Sequence, residues 1–315
     1  MKNLIVVLLL SLSGLFAPLH AQSAPEDVYE PSPQKVIDNV YAIVGPLGQR
    51  SLTNAGLNAN YGFVVADHGV ILIDSGASAY SAAMLEKAVR NVTSKPIRWV
   101  LNTGSQDHRW LGNDYFAQKG AEIHAMSGSV KTQIASAEQQ LSGLKRFVGE
   151  QLNGTKPLQA TQVHSAPEFT FTLDGVRIHW IETNAHYPGD TMIFLLDSSV
   201  VLTGDLVYVD RMVGVLPQSN VRKAQAAFKQ LISLAPKYVV PGHGKVTDLA
   251  QAKRETGDYY DFLIDNVGAA ARNMESIDET LHKFSSPKQF LHLQNFDELH
   301  RGNMSRVFVD FEANP

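Results

Sequence analysis

Three features of the sequence predict a mixed α/β fold. Short apolar runs rich in Val and Ile, such as GVILIDSG at 69–76 and SVVLTGDL at 199–206, alternate with longer stretches whose apolar residues recur every three or four positions. No low-complexity tract and no repeat with a period of roughly 20–50 residues interrupts the alternation. With 315 residues, 44% of them hydrophobic, the chain is long enough to bury a substantial core.

Strands are predicted at 40–44, 61–66, 70–74, 98–102 and 121–125, with a second set at 168–173, 176–181, 192–196, 200–203 and 238–240. Helices are predicted where the spacing changes, at 79–92, 130–152, 221–234 and 249–272, the last two with Asn220 and Asp248 as N-caps. The tail FDELHRGNMSRVFVDFEANP has aromatics close to alternation near its end, which predicts an edge strand or a homodimer surface.

Residues 1–21, MKNLIVVLLLSLSGLFAPLHA, combine one early Lys, an apolar run and Ala21 as a cleavage residue, and predict a secretory signal peptide. Cleavage after Ser23 is the alternative, because Leu19 is bulky for its place. The strongly apolar part runs only from Leu4 to Leu15, short of the ~20 residues of a spanning helix, so a soluble periplasmic or secreted protein is expected. Residues 22–315 are read as one domain, with a motif-bearing core over about 36–250 and an extension over 251–315.

The chain has no cysteine, which removes disulfides, thiolate metal sites and cysteine nucleophiles. Of its 27 basic residues only Lys2 lies in the signal, and against 31 acidic residues the remainder carries a net charge of −5. No basic cluster appears, so nucleic acid is not an expected partner and a small-molecule substrate is.

Acidic and imidazole residues recur directly after the strands: Asp74, Asp107 with His108, His186, Asp205 and His243, in the turns LIDSG, LNTGSQDH, TNAHYPGD, LTGDL and VVPGHG. Loops at strand exits are where a sheet delivers site residues. Each residue alone has an ordinary explanation as a turn former, and His124 and His179 sit inside strand patterns while His68 lies in a turn. As a set they offer imidazoles and carboxylates suited to a divalent cation, with zinc first and iron or manganese behind it.

In this order the motifs LIDSG, NTxxxDHxxxGN, HYPGD, TGDL and VPGHG resemble the metallo-β-lactamase superfamily, whose fold is a four-layer αββα sandwich. The family's loop after the fourth strand reads HxHxDH and serves two metals. In it the resemblance implies that Asp107 and His108 join His243 at one metal, that His186 belongs to the other, and that Asp205 bridges. The chain departs from the pattern where the two leading histidines should stand: Thr103 and Ser105 fall there, or Gly104 and Gln106 after a one-residue deletion. One metal rather than two is therefore expected, with Gln106 a weak substitute ligand.

Such a site implies a hydrolase acting on an ester, thioester, amide or sulfate-type bond, with Asp107 and His186 as catalytic residues and metal-activated water as nucleophile. β-Lactamase activity is not favoured, because the chain lacks Cys and has Arg109 after the Asp-His pair. The rival expectation is a degenerate binding or sensing protein whose metal is structural. Arg109, Trp110, Tyr187, Tyr208 and Arg211 flank the ligand loops as candidate pocket residues, Asn113 is a candidate cap, and the helix over 130–152 is either ordinary packing or a lid.

Overall fold

The computed structural model describes residues 28–315, so the signal segment lies outside the described residues. Seven strands form one sheet in chain order: β1 (Pro33–Ile37), β2 (Val40–Ile43), β3 (Tyr61–Val65), β4 (Val70–Ile73), β5 (Ile97–Leu101), β6 (Glu122–Met126) and β7 (Gln162–His164). Five more form the second, ordered β12-β11-β10-β9-β8: β8 (Glu168–Leu173), β9 (Val176–Glu182), β10 (Thr191–Leu195), β11 (Val200–Leu202) and β12 (Tyr238–Val240). The helices are α1 (Ala79–Arg90), α2 (Asp107–Trp110), α3 (Asn113–Ala117), α4 (Ser127–Val148), α5 (Val221–Leu234), α6 (residues 249–272), α7 (Ile277–Lys283) and α8 (Phe296–Ala313).

Period-two alternation assembles these into four layers. In β4, Ile71 and Ile73 point to the space between the sheets, where they meet Ile178, Trp180, Ile193, Leu195 and Leu202. Val70 and Leu72 point the other way, against Ala82, Leu85 and Val89 of α1. In β10, Ile193 and Leu195 face inward, while Met192 and Phe194 join a third cluster with Phe228 of α5 and Tyr259 and Leu263 of α6. The architecture is the αββα sandwich that the motifs imply.

Both expected caps form: Asn220 accepts from Lys223 N at 2.9 Å and Asp248 from Gln251 N at 2.8 Å. The tail corrects the edge-strand reading. It is helix α8, because its buried residues Phe296, His300, Met304, Val307, Phe308 and Phe311 follow a helical period, while Val309 is 52% exposed. Two strands were missed. β1 begins at Pro33 and β7 has three residues; both are edge strands with polar, half-exposed sequences. Among the described residues no helix is long and apolar enough to cross a membrane.

Topology gathers the site. β4 and β5 are parallel, as are β11 and β12, so the ends carrying Asp74, Asp107, Asp205 and His243 lie together at one rim of the sandwich. Trp180 is fully buried between the sheets and contacts the rings of Phe169, Phe171 and His164. Trp180→Ala should destabilise the protein by about 3–5 kcal/mol, measured by urea denaturation, because the sheets cannot collapse into the void.

Candidate metal and catalytic site

Asp74 follows β4 with φ +66°, a left-handed conformation that directs its carboxylate at the next loop. It accepts from Thr103 N at 2.7 Å and from the Thr103 hydroxyl at 2.6 Å. Ser105 donates its hydroxyl to Pro188 O at 2.6 Å. In the ungapped alignment, the two positions where the family carries its leading histidines are thus occupied by hydroxyls that splice the loop to its neighbours.

Asp107 and His108 open α2. His108 Nε2 lies 3.0 Å from Asp205 Oδ2, and His243 Nε2 lies 3.3 Å from Asp205 Oδ1. Among the described residues His108, Asp205 and His243 are the group whose donor atoms converge closely enough for one cation, all within 4.8 Å of one another and all buried. Asp107 stands outside that group. Its Oδ1 accepts from Arg50 Nη2 at 2.5 Å and from His108 N at 2.7 Å, with His108 Nδ1 3.0 Å away. A carboxylate on the far nitrogen of an imidazole is the usual partner that orients a metal-binding His.

Of the two roles open to Arg109, pocket lining or packing, the structure shows packing. Rather than lining a pocket, its guanidinium is 1% exposed and links two carboxylates, with Nη2 donating to Asp205 Oδ1 at 2.6 Å and Nη1 to Asp74 Oδ2 at 3.0 Å. Trp110 is also fully buried and donates to Gln140 Oε1 of α4 at 2.8 Å. α4 packs rather than closing as a lid: Gln133 and Gln140 donate to Gly104 O and Ser105 O, clamping the loop from behind. Asn113 does not cap α3; its amide donates to Asn102 Oδ1 and Leu158 O. Tyr187 stays at the periphery, its backbone N donating to the Asp190 carboxylate at 2.6 Å.

A cavity of about 120 Å³ opens beside His108 and His243, lined also by Gln106, His186, Tyr208, Arg50 and Arg211. His186 therefore shares the cavity without joining the three-donor group. Gln106 Oε1 is buried with no hydrogen-bond partner, an orphaned acceptor beside donors suited to a cation. Arg50 had no motif to reveal it, and Asn60 stood only at the start of a strand pattern, NYGFVV, with no role assigned. Arg50 comes from the β2–β3 loop, and Asn60 holds Pro241 O and Gly244 O at 2.9 and 2.6 Å, fixing the loop that carries His243. Gly244 has φ +94°, and a Cβ there would meet Val209 O at 2.0 Å, so the turn after His243 requires glycine.

Burial dominates the electrostatics. It pulls His186 down from 6.5 to about 4 and His243 from 6.5 to about 3, with nearby cationic groups adding to the effect and Asp205 opposing it. Burial by itself would raise Asp205, but Arg109, His108 and His243 together hold it well below the usual carboxylate range. Asp190, buried and near Asp205, is pushed well above that range.

Residues 55–243 match the metallo-beta-lactamase superfamily, and the chain belongs to it. Among solved structures, the stereoselective inverting sec-alkylsulfatase Pisa1 from Pseudomonas sp. is similar over 90% of this chain at 16% identity, with a TM-score of 0.68. The chain spans about half of that protein's length, 50%. A metallo-beta-lactamase from Pontibacter korlensis aligns over 73% of this chain and 99% of its own at 17% identity, TM-score 0.58. The DIM-1 metallo-beta-lactamase aligns over 75% and 99% at 18% identity, TM-score 0.57. No curated protein matches the chain.

Arg109→Met leaves Asp74 and Asp205 buried without their cation, and a loss of about 3–5 kcal/mol in denaturant-derived stability is expected. The histidines give a separate acid signature. Both have folded pKa values below 6.5, so the unfolded chain takes up protons first as pH falls. Their contribution is complete above about pH 6.5 and is lost on acidification toward pH 4, at up to about 1.4 kcal/mol per pH unit for each group. Unfolding midpoints measured between pH 7.5 and 4.5 should show this slope, and His186→Gln should make it shallower.

Proposed function

We propose that the chain is a secreted hydrolase that uses one divalent cation, zinc in the first instance, to cleave an ester, thioester, amide or sulfate-type bond of a small molecule. The observation that carries this reading is the convergence of His108, Asp205 and His243 at the wall of a cavity that also holds His186. Three imidazole or carboxylate donors are an ordinary complement for zinc with one coordination position left open. When bound, such a cation supplies Lewis acidity and a nucleophile at neutral pH.

The chain's own residues supply the rest. The far nitrogen of the His108 ring is held between Arg50 Nη2 at 2.5 Å and Asp107 Oδ1 at 3.0 Å, which turns the ring toward the site. His186, kept unprotonated at neutral pH by burial, is placed to accept a proton in the cavity and return it to a leaving group. Burial holds the Tyr208 phenol far above its ordinary pKa, so it remains a donor, 3.4 Å from Asp205 Oδ1. The Thr103 and Ser105 hydroxyls are engaged elsewhere, which supports one cation rather than two.

Elemental analysis of the purified protein should find about one metal per chain, and a panel of chromogenic esters, thioesters and sulfates should show turnover abolished by chelator. His243→Ala should lose the metal. His186→Ala should keep it while kcat falls by roughly 10²–10⁴-fold. Stoichiometric metal without chelator-sensitive turnover would favour the binding or sensing reading, and loss of metal on His186→Ala would point to a second cation.

A further inference from the structure

We infer that the cavity carries an oxyanion-binding subsite centred on Arg211, which receives a carboxylate, sulfate or phosphate group of the ligand. In calling that ligand the substrate, the inference rests on the hydrolase reading above; the binding itself does not.

Three buried or half-buried arginines surround the site, and their partners differ. Arg109 has two carboxylates and Arg50 has one, Asp107. Arg211, 6% exposed, has none within 4.0 Å among the described residues. The hydrogen bonds it makes inside the protein leave from Nη1, to Gly48 O at 3.2 Å and toward His243 Nδ1 at 3.3 Å. Its Nε, like that of Arg50, is buried and has no hydrogen-bond partner among the described residues.

A buried cation without a counter-ion is costly, and the cost is relieved when an anion is brought to it. The cavity wall is suited to that role. Arg211 and Arg50 both line it, and among the described residues no Asp or Glu does. The Nε edge of a guanidinium is one side of the fork that meets a carboxylate, sulfate or phosphate through two parallel hydrogen bonds. His108 and His243 line the same small space, so an anionic group held by Arg211 keeps the bond next to it beside the three-donor site. Tyr208 backs the arginine, its ring centroid 5.8 Å from Arg211 Cζ.

Isothermal titration of the full-length purified protein with sodium sulfate, sodium phosphate and sodium acetate, as purified and after chelation, tests the subsite. At least one anion should bind with one-to-one stoichiometry in both preparations, and the tightest of the three names the group. Arg211→Gln should weaken that binding by about tenfold or more, and Arg211→Lys, which keeps the charge but not the fork, should weaken it less. Circular dichroism and the melting temperature of each variant without anion establish that it is folded. Absence of binding to the wild-type protein overturns the inference, as does undiminished binding to a folded Arg211→Gln. Binding that disappears on chelation assigns the anion to a metal instead and also overturns it, leaving the hydrolase reading standing. Anion binding that survives chelation in a protein that hydrolyses nothing has the opposite meaning: the subsite stands and the hydrolase reading fails.

Discussion

The site is organised around one guanidinium that the solvent does not reach. Arg109 bonds Asp74, Asp205, Asn60 O and Gly242 O, and so ties together the ends of β4 and β11, the entry to β3 and the exit of β12. Such a group is tolerated inside a protein only when its charge is matched and its donors are satisfied. That requirement runs in both directions. The arginine helps hold Asp205 well below the usual carboxylate range and opposes the burial that raises Asp74, and the carboxylates force four separate loops into one register. Asp205 is consequently presented to His108 and His243 in a fixed position rather than swinging into a turn.

The same interaction gives the departure from the family pattern a physical meaning. Thr103 donates to Asp74, the carboxylate that Arg109 also holds, so the hydroxyl belongs to the charge-matched cluster rather than to an abandoned ligand position. Gly104 carries no side chain, and a Cβ there would stand 2.6 Å from Asp190 Oδ1. With Ser105 fastened to Pro188, the stretch 103–105 is committed to backbone and carboxylate contacts throughout. The donor atoms that converge closely enough for one cation among the described residues lie elsewhere, at His108, Asp205 and His243.

Much of this was legible in the sequence, for identifiable reasons. Buried strands announce themselves by Val and Ile content, and the motif order fixed which strand exits would meet, because parallel pairing brings those ends together. Edge strands β1 and β7 were not legible, since half-exposed strands need no apolar alternation. Helix α8 was obscured by an exposed Val309 set among buried Val307, Phe308 and Phe311, a pattern whose period shows only over its full length. In the site, His108, His186, Asp205 and His243 each follow a strand within a recognisable turn. Arg50 does not: it reaches Asp107 across 57 positions from a loop whose residues carry no motif, and only tertiary structure could place it. Arg109 was visible as a residue but not as a structural one, because nothing in a sequence distinguishes a guanidinium bound for the interior from one bound for a pocket.

The arginines also add to the burial that keeps the imidazoles unprotonated. A histidine serves as ligand or base only when neutral, and an ordinary pKa near 6.5 leaves a fraction protonated in mildly acid surroundings. Here burial depresses His186 and His243, with Arg109 pressing on the first and Arg211 on the second. Asp205 alone would work the other way, drawing protons onto both rings. Because Arg109 spends much of that carboxylate's field, the cavity side of the cluster is left with cationic walls and uncharged imidazoles. The cationic walls keep protons off the neutral imidazoles and, on the anion-subsite inference, draw an electron-rich group of a ligand to the same side. On the anion-subsite inference, the availability of the imidazoles and the attraction for an anion share one source in the arginines' charge, while the guanidinium fork adds a geometric part that charge alone does not supply.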